Sequence, residues 1–175
     1  MEEDRQLIKE YLSGNGDAIE GLVTKYQKMV YSLAYRLTND MDAAQDLTQE
    51  TFIKVLKGIK TFKMRSSFKT WVYRIATNVC LNRMRKRNPE TMTLDEAVVQ
   101  SSSNVLTSMI TKEQGIRLNR AIQRLTERQK LAVTLRTMEG LSCRETADIM
   151  GCSEGAVKAH YHNGVKSLKE ILKES

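Results

Sequence analysis

Three groups of side chains in this sequence have types and spacings that can do chemistry, and in each case the chemistry is binding. The first lies in LSCRETADIMGCSEGAVKAHYHNGVKSL, residues 141–168. Near the start of its last helix, Ser153, Glu154, Ala156, Lys158, Ala159, His160, His162 and Asn163 are expected to face outward. Glu accepts from cytosine N4, Lys and His reach guanine or phosphate, Asn pairs with adenine, and Ala touches a thymine methyl. The second group is a basic block interleaved with aromatics: Phe62, Lys63, Met64, Arg65, Ser66, Ser67, Phe68, Lys69, Trp71, Tyr73 and Arg74. Cations for phosphates and flat rings for unstacked bases are what single-stranded nucleic acid requires. Phe68, Trp71 and Ile75 also fall at core spacing, so on pattern alone a buried Trp71 is the stronger reading. The third group, Asp42, Gln45, Asp46 and Gln49 with Glu50 flanking, sits at i, i+3, i+4, i+7 on one helix face. By itself such a face is a solvated surface.

Catalytic and metal readings find little support. There is no GxxxxGK[ST], HExxH or GxSxG. His160 and His162 are two apart, so on a helix they point away from each other and do not share a metal easily. Cys80, Cys143 and Cys152 form no CxxC pair and read as small core hydrophobes. The expectation is a protein that is not an enzyme and holds no metal or cofactor.

The elements that must position these groups are helices. Ile19, Leu22, Val23, Tyr26, Val30, Leu33, Ala34 and Leu37 form one helical stripe. Asn39-Asp40 makes a turn. A second helix over about 42–59 turns Ala44, Leu47, Thr51, Phe52, Val55, Leu56 and Ile59 inward. A third, capped by Ser66 or Ser67, buries Phe68, Trp71, Val72, Ile75, Ala76 and Val79 and ends in RMRKR. Further helices are expected around 116–125 and 129–138, and Gly140 stops the second of these. Ser142-Cys-Arg-Glu145 is a capping box, Gly151-Cys152 a turn, and Ser153 the cap of a last helix. A capped short helix, a glycine turn and a second capped helix make a helix-turn-helix, whose second helix can enter the major groove.

Charge divides the chain in the same way. Residues 1–62 carry eight basic and ten acidic groups, 63–87 eight basic and none acidic, 88–111 three acidic and none basic, and 112–175 twelve and eight. The net +7 fits a polyanionic partner. Pro89, the Ser101-Ser102-Ser103 run and the lost periodicity mark a linker. The expected organisation is all-α: two small helical domains, 1–87 and 112–175, joined by a flexible linker over 88–111. No apolar run approaches the roughly 20 residues of a membrane helix, and the acidic start MEEDRQLIKE has no signal-type apolar stretch. The expected compartment is the cytoplasm.

DAAQDLTQETFIKVLKGIKTF (42–62), followed by SSFKTWVYRIATNVCLNRMRKR (66–87), resembles the second conserved region of the extracytoplasmic-function (group 4) sigma factors of bacterial RNA polymerase, within the sigma-70 family. LTERQKLAVTLRTMEGLSCRETADIMGCSEGAVKAHYHNGVKSL (125–168) resembles their fourth region. The resemblance implies a factor that binds core polymerase, recognises and opens promoter DNA and initiates transcription in a stress or envelope response. It implies that Asp42, Asp46, Gln49, Glu50 and Phe52 meet the β′ clamp, with the β subunit as a further contact. It places Lys63, Arg65, Ser66, Phe68, Lys69, Trp71, Arg74, Asn78 and Arg85 at the −10 element, where a flipped base is captured. Arg144, Ser153, Glu154, Ala156, Lys158, Ala159, His160, His162 and Asn163 fall at the −35 element. An anti-sigma factor is the implied regulatory partner, and no small-molecule substrate is implied. Two stretches depart from the family pattern. Gly155-Ala156-Val157-Lys158-Ala159-His160 stands where Gly-Thr-Val-Lys/Arg-Ser-Arg is common, and Lys63-Met64-Arg65-Ser66 where Arg-Gly-Asp/Glu-Ser is typical. The alternative, a stand-alone helix-turn-helix regulator, leaves 42–87 without a role.

Limited proteolysis of the free protein is expected to cut first between Asn88 and Ser108. Protection throughout that stretch, with no partner bound, overturns the linker expectation.

Overall fold

The computed structural model describes residues 2–87 and 112–173, and every regular element among them is helical. The linker expected over 88–111 lies outside the described residues. Helix α1 (Glu2–Leu12) precedes the first stripe read from the sequence. It docks through Ile8 and a buried carboxylate, Asp4. Asp4 accepts from the Tyr26 hydroxyl at 3.0 Å and from Lys25 Nζ at 2.8 Å. Burial works to raise its pKa, but these two donors outweigh burial and hold it below the ordinary carboxylate value.

Helix α2 (Asp17–Thr38) ends on Asn39, whose φ of 53° is left-handed and whose N–H donates to the Tyr35 carbonyl. Asn tolerates this region better than most residues. Asp40 then caps α3 (Met41–Gly58), its side chain accepting from the Ala43 amide at 2.9 Å. A 3₁₀ turn (Ile59–Thr61) leads into the loop over 62–67. The Ser67 hydroxyl accepts from the Thr70 amide at 3.0 Å and starts α4 (Phe68–Arg87).

The second half holds α5 (Lys112–Gln123), α6 (Glu127–Val133) with a π-helical turn (Thr134–Met138), α7 (Cys143–Met150) and α8 (Glu154–Lys173). The capping box at Ser142 forms as the sequence predicts: its hydroxyl accepts from the Glu145 amide at 3.1 Å, and the Glu145 carboxylate accepts from the Ser142 amide at 2.9 Å. Gly151 (φ 64°) ends α7 in the left-handed region, and Ser153 caps α8 through the Ala156 amide at 3.1 Å. Thr126 and Gln129 form a second capping box that opens α6.

The fold is the expected pair of small helical domains, and the two pack on each other. One apolar cluster runs from Tyr26, Leu33, Phe68 and Val72 to Leu131, Leu135, Ile149 and Val157. Its bridge is the contact of α4 with α7. A smaller cluster of Ala121, Ile122, Leu125, Val133 and Leu168 closes α5 against α8.

The approach of α6 to α8 is set by Gly164. A methyl group built there would sit 2.7 Å from Val133 Cγ2 and 3.3 Å from Gln129 Cβ. Overpacking of this kind costs about 1–3 kcal/mol. It opposes the gain of about 0.5–1 kcal/mol from replacing a helical glycine by alanine. Gly164→Ala is expected to lower the denaturation midpoint, and an unchanged or raised midpoint contradicts the contact.

Candidate DNA and polymerase interfaces

Helix α4 has three differently occupied sides. Phe68, Val72, Ala76 and Val79 are buried in the core. Farther round, Tyr73, Thr77 and Cys80 are also buried. The remaining side carries Trp71, Arg74 and Asn78 at i, i+3, i+7, with Arg74 and Asn78 exposed. Trp71 is half-buried: its ring lies 4.9 Å from Phe62 and covers Gly58, where an added Cβ would meet it at 3.3 Å. Lys63, Arg65 and Ser66 are exposed on the loop ahead of this side. The structure thus gathers Lys63, Arg65, Ser66, Trp71, Arg74 and Asn78, a cationic surface with one aromatic ring.

Phe68 departs from its expected role. It is 3% exposed, with its centroid 5.6 Å from both Tyr26 and Phe62. It supports the loop from below because it begins the buried stripe of α4. Lys69 is exposed over the Tyr73 ring at 5.8 Å, and Arg85 pairs with Glu127 at 3.6 Å. Met64 holds φ 53° without being glycine, a conformation that costs about 1–2 kcal/mol.

On α3, Asp42, Asp46, Gln49 and Glu50 are all exposed, and Glu50 pairs with Lys54 at 3.0 Å. Phe52 is corrected: at 8% exposure it belongs to the inward stripe with Ala44, Leu47 and Val55 and holds the acidic face up from behind. Ile53, at 51% exposure, adds an apolar side chain to the outer surface of this helix. The signal for it was its position off the core stripe.

In the helix-turn-helix, Arg144, Ser153, Glu154 and Lys158 are exposed. Ala156, His160, His162 and Asn163 are half-buried. Ala159 is 5% exposed, which corrects its outward placement. Two residues make 200° of helix, so Ala159 is nearly opposite buried Val157. Helix α8 is packed by α5, α6 and α7, and its second turn is covered on both sides. Burial, and then the nearby Arg128, push the His160 pKa below its ordinary value. At neutral pH this imidazole is uncharged and suits a base edge better than a phosphate.

A polar network at the domain boundary had no local signal, because its members are far apart in sequence. The Tyr73 hydroxyl donates to Glu139 Oε2 at 2.6 Å, and Arg36 Nε lies 3.5 Å from Glu139 Oε1. Gln123 Nε2 donates to the Arg36 carbonyl at 2.7 Å and its Oε1 accepts from Lys130 Nζ at 2.8 Å. Burial, then the bond to Glu139, raises the Tyr73 pKa strongly, and burial lowers that of Lys130.

Residues 22–90 match the family model described as Sigma-70 region 2, and residues 116–168 match Sigma-70, region 4. The chain is 32% identical to the RNA polymerase sigma-H factor of Pseudomonas aeruginosa, over 98% of this chain and 95% of that one. It is 28% identical to the extracytoplasmic-function RNA polymerase sigma factor SigW of Bacillus subtilis, over 97% of each. Among solved structures, the sigma factor RpoE in complex with the anti-sigma factor NepR from Bartonella quintana superposes with a TM-score of 0.69 and 25% identity. That match covers 89% of this chain and 96% of the other.

Tyr73→Phe removes the one hydroxyl that joins α4 to Glu139 and leaves a buried carboxylate short of a donor. Hydrogen bonds to charged groups contribute about 1.5–3 kcal/mol, so the packed arrangement of the two domains is expected to weaken by roughly tenfold or more. Small-angle scattering should report a larger radius of gyration with unchanged helicity. An unchanged radius shows that the network does not hold the domains together.

Proposed function

The chain belongs to the extracytoplasmic-function group of the sigma-70 family, and from that premise we propose how its surfaces divide the work of transcription initiation. The acidic face of α3 seats on the polymerase clamp. The loop over 63–67 with Trp71, Arg74 and Asn78 takes the −10 strand, and α8 reads the −35 duplex. The observation that carries this reading is the order of the two regions in one chain, each presenting an exposed binding face on a helix that is buried elsewhere. A stand-alone regulator would leave residues 22–90 without a task. The cytoplasm is the compartment where these partners are met, and no helix among the described residues is long and apolar enough to cross a membrane.

Promoter binding requires the two domains to part. Elements about 25 base pairs apart are roughly 85 Å apart at 3.4 Å per base pair. A compact globule of this length has a radius of gyration of about 16 Å. The packed form is therefore the resting form, and polymerase holds the extended one. A protein of anti-sigma type, like the partner in the RpoE–NepR complex, would act by keeping these surfaces covered.

The α3 assignment is the one that separates a sigma factor from a regulator. Folding does not need that face to be acidic, since Asp46 and Glu50 are exposed. Opposing like charges at an interface cost several kcal/mol. Asp46→Lys with Glu50→Lys is expected to keep helicity and −35 duplex binding while losing association with core polymerase in co-sedimentation. A folded double mutant that still binds core overturns the α3 face, and a wild type that never binds core overturns the sigma-factor reading.

A further inference from the structure

The boundary between the two domains is packed but incompletely paired. Among the described residues, three buried side-chain atoms take part in no hydrogen bond: Thr77 Oγ1, Thr134 Oγ1 and Glu139 Oε1. Thr77 is 1% exposed and Thr134 is fully buried. Thr77 lies one turn beyond Tyr73 on α4, and Tyr73 holds the other oxygen of Glu139. Thr134 lies one turn beyond Lys130, which donates to Gln123 beside the Arg36 carbonyl. The π-helical turn that carries Thr134 packs on α2 of the first domain. Arg36 Nε approaches Glu139 Oε1 to 3.5 Å, an ion pair without a hydrogen bond.

A threonine in a helix has a ready acceptor, the carbonyl four residues back. Thr38, Thr48, Thr51 and Thr146 all donate to it, at 2.6–2.8 Å. Thr77 and Thr134 do not, although the matching carbonyls are those of Tyr73 and Lys130, two members of the boundary network. A buried hydroxyl without a partner has given up its hydration and gained nothing in return. The same hydroxyl meets water again once the domains part. Each of these threonines therefore weighs against the closed form alone, while Leu131, Leu135, Ile149 and Val157 favour it.

We propose that Thr77 and Thr134 are release residues, whose buried hydroxyls hold the domain closure weak enough for core polymerase to open the chain. The inference rests on the reading that the packed form is the resting form and that polymerase holds the extended one. A partner that binds only the open form has its apparent affinity scaled by the open fraction. The two hydroxyls thereby set how much polymerase is needed to engage the factor. They act on the closure equilibrium and touch neither polymerase nor DNA.

The test uses the full-length chain with donor and acceptor dyes attached at Glu20 and Lys166, exposed positions in the two domains. Single-molecule energy transfer reads the open fraction, and titration with core polymerase reads association. Valine keeps the shape of threonine and drops the hydroxyl. Thr77→Val and Thr134→Val should each lower the open fraction roughly fivefold or more and weaken association with core by the same factor. The substitutions are repeated in Tyr73→Phe, whose larger open fraction keeps a decrease measurable. Thr51→Val, which loses a paired hydroxyl inside the first domain, should leave the open fraction unchanged. An open fraction that is unchanged or raised in the double valine variant, or lowered equally by Thr51→Val, overturns the role of the hydroxyls and leaves the resting-form reading standing. A lowered open fraction with unchanged core association overturns that reading and this inference together.

Discussion

Helix α4 has to bury two adjoining sides and keep the third wet. Phe68, Val72, Ala76 and Val79 complete the core of the first domain. Tyr73, Thr77 and Cys80 continue that burial toward the second domain, where α7 packs. Between these sides, the arc with Trp71, Arg74 and Asn78 stays in contact with water. A helix buried round so much of its circumference is fixed in rotation, and that fixes where its exposed side chains point. The loop over 62–67 inherits its position from the same helix through Phe68 and Ser67.

The boundary between the domains combines apolar packing with a few buried polar contacts. Leu131, Leu135, Ile149 and Val157 join the cluster of the first domain, which favours closure. Glu139 is 10% exposed and depends on Tyr73 and Arg36 to offset its lost hydration. Paired, it adds little net stability, but left buried and unpaired it is destabilising. Such an interface specifies one closed arrangement, and separating the domains would return the Glu139 carboxylate to water. Lys69 lies near Glu145, whose pKa is lowered first by its Ser142 bonds and then by that cation. Closure thus brings one exposed cation of the first domain near an acid of the second.

The helix-turn-helix achieves its shape by local means. Capping at Ser142 and Ser153 and the left-handed Gly151 set the angle between α7 and α8 with bonds among near neighbours. Gly164 lets α6 approach α8 closely. The capping and the turn depend on near neighbours alone, which is why this is the most recognisable stretch of the sequence.

The sequence by itself determined what is periodic or local. The stripes of α2 and α3, the Asn39-Asp40 turn, the Ser142 capping box and the order of the two regions all follow from neighbours within a few residues, where helix geometry leaves few choices. Burial on a second side of a helix was not legible: Tyr73 and Ala159 depend on what packs against α4 and α8, and a stripe has one period but a helix can have two covered faces. Phe52 lay on the inward stripe from the start, and only the resemblance had moved it outward. Tertiary structure alone decided that Tyr73 meets Glu139, 66 residues away, and that Gln123 meets the Arg36 carbonyl, 87 residues away. It also decided that α1 reaches the 62–67 loop through Asp4 and Tyr26. Contacts of that separation arise from the packing of whole helices, and no spacing within one helix encodes which other helix will lie beside it.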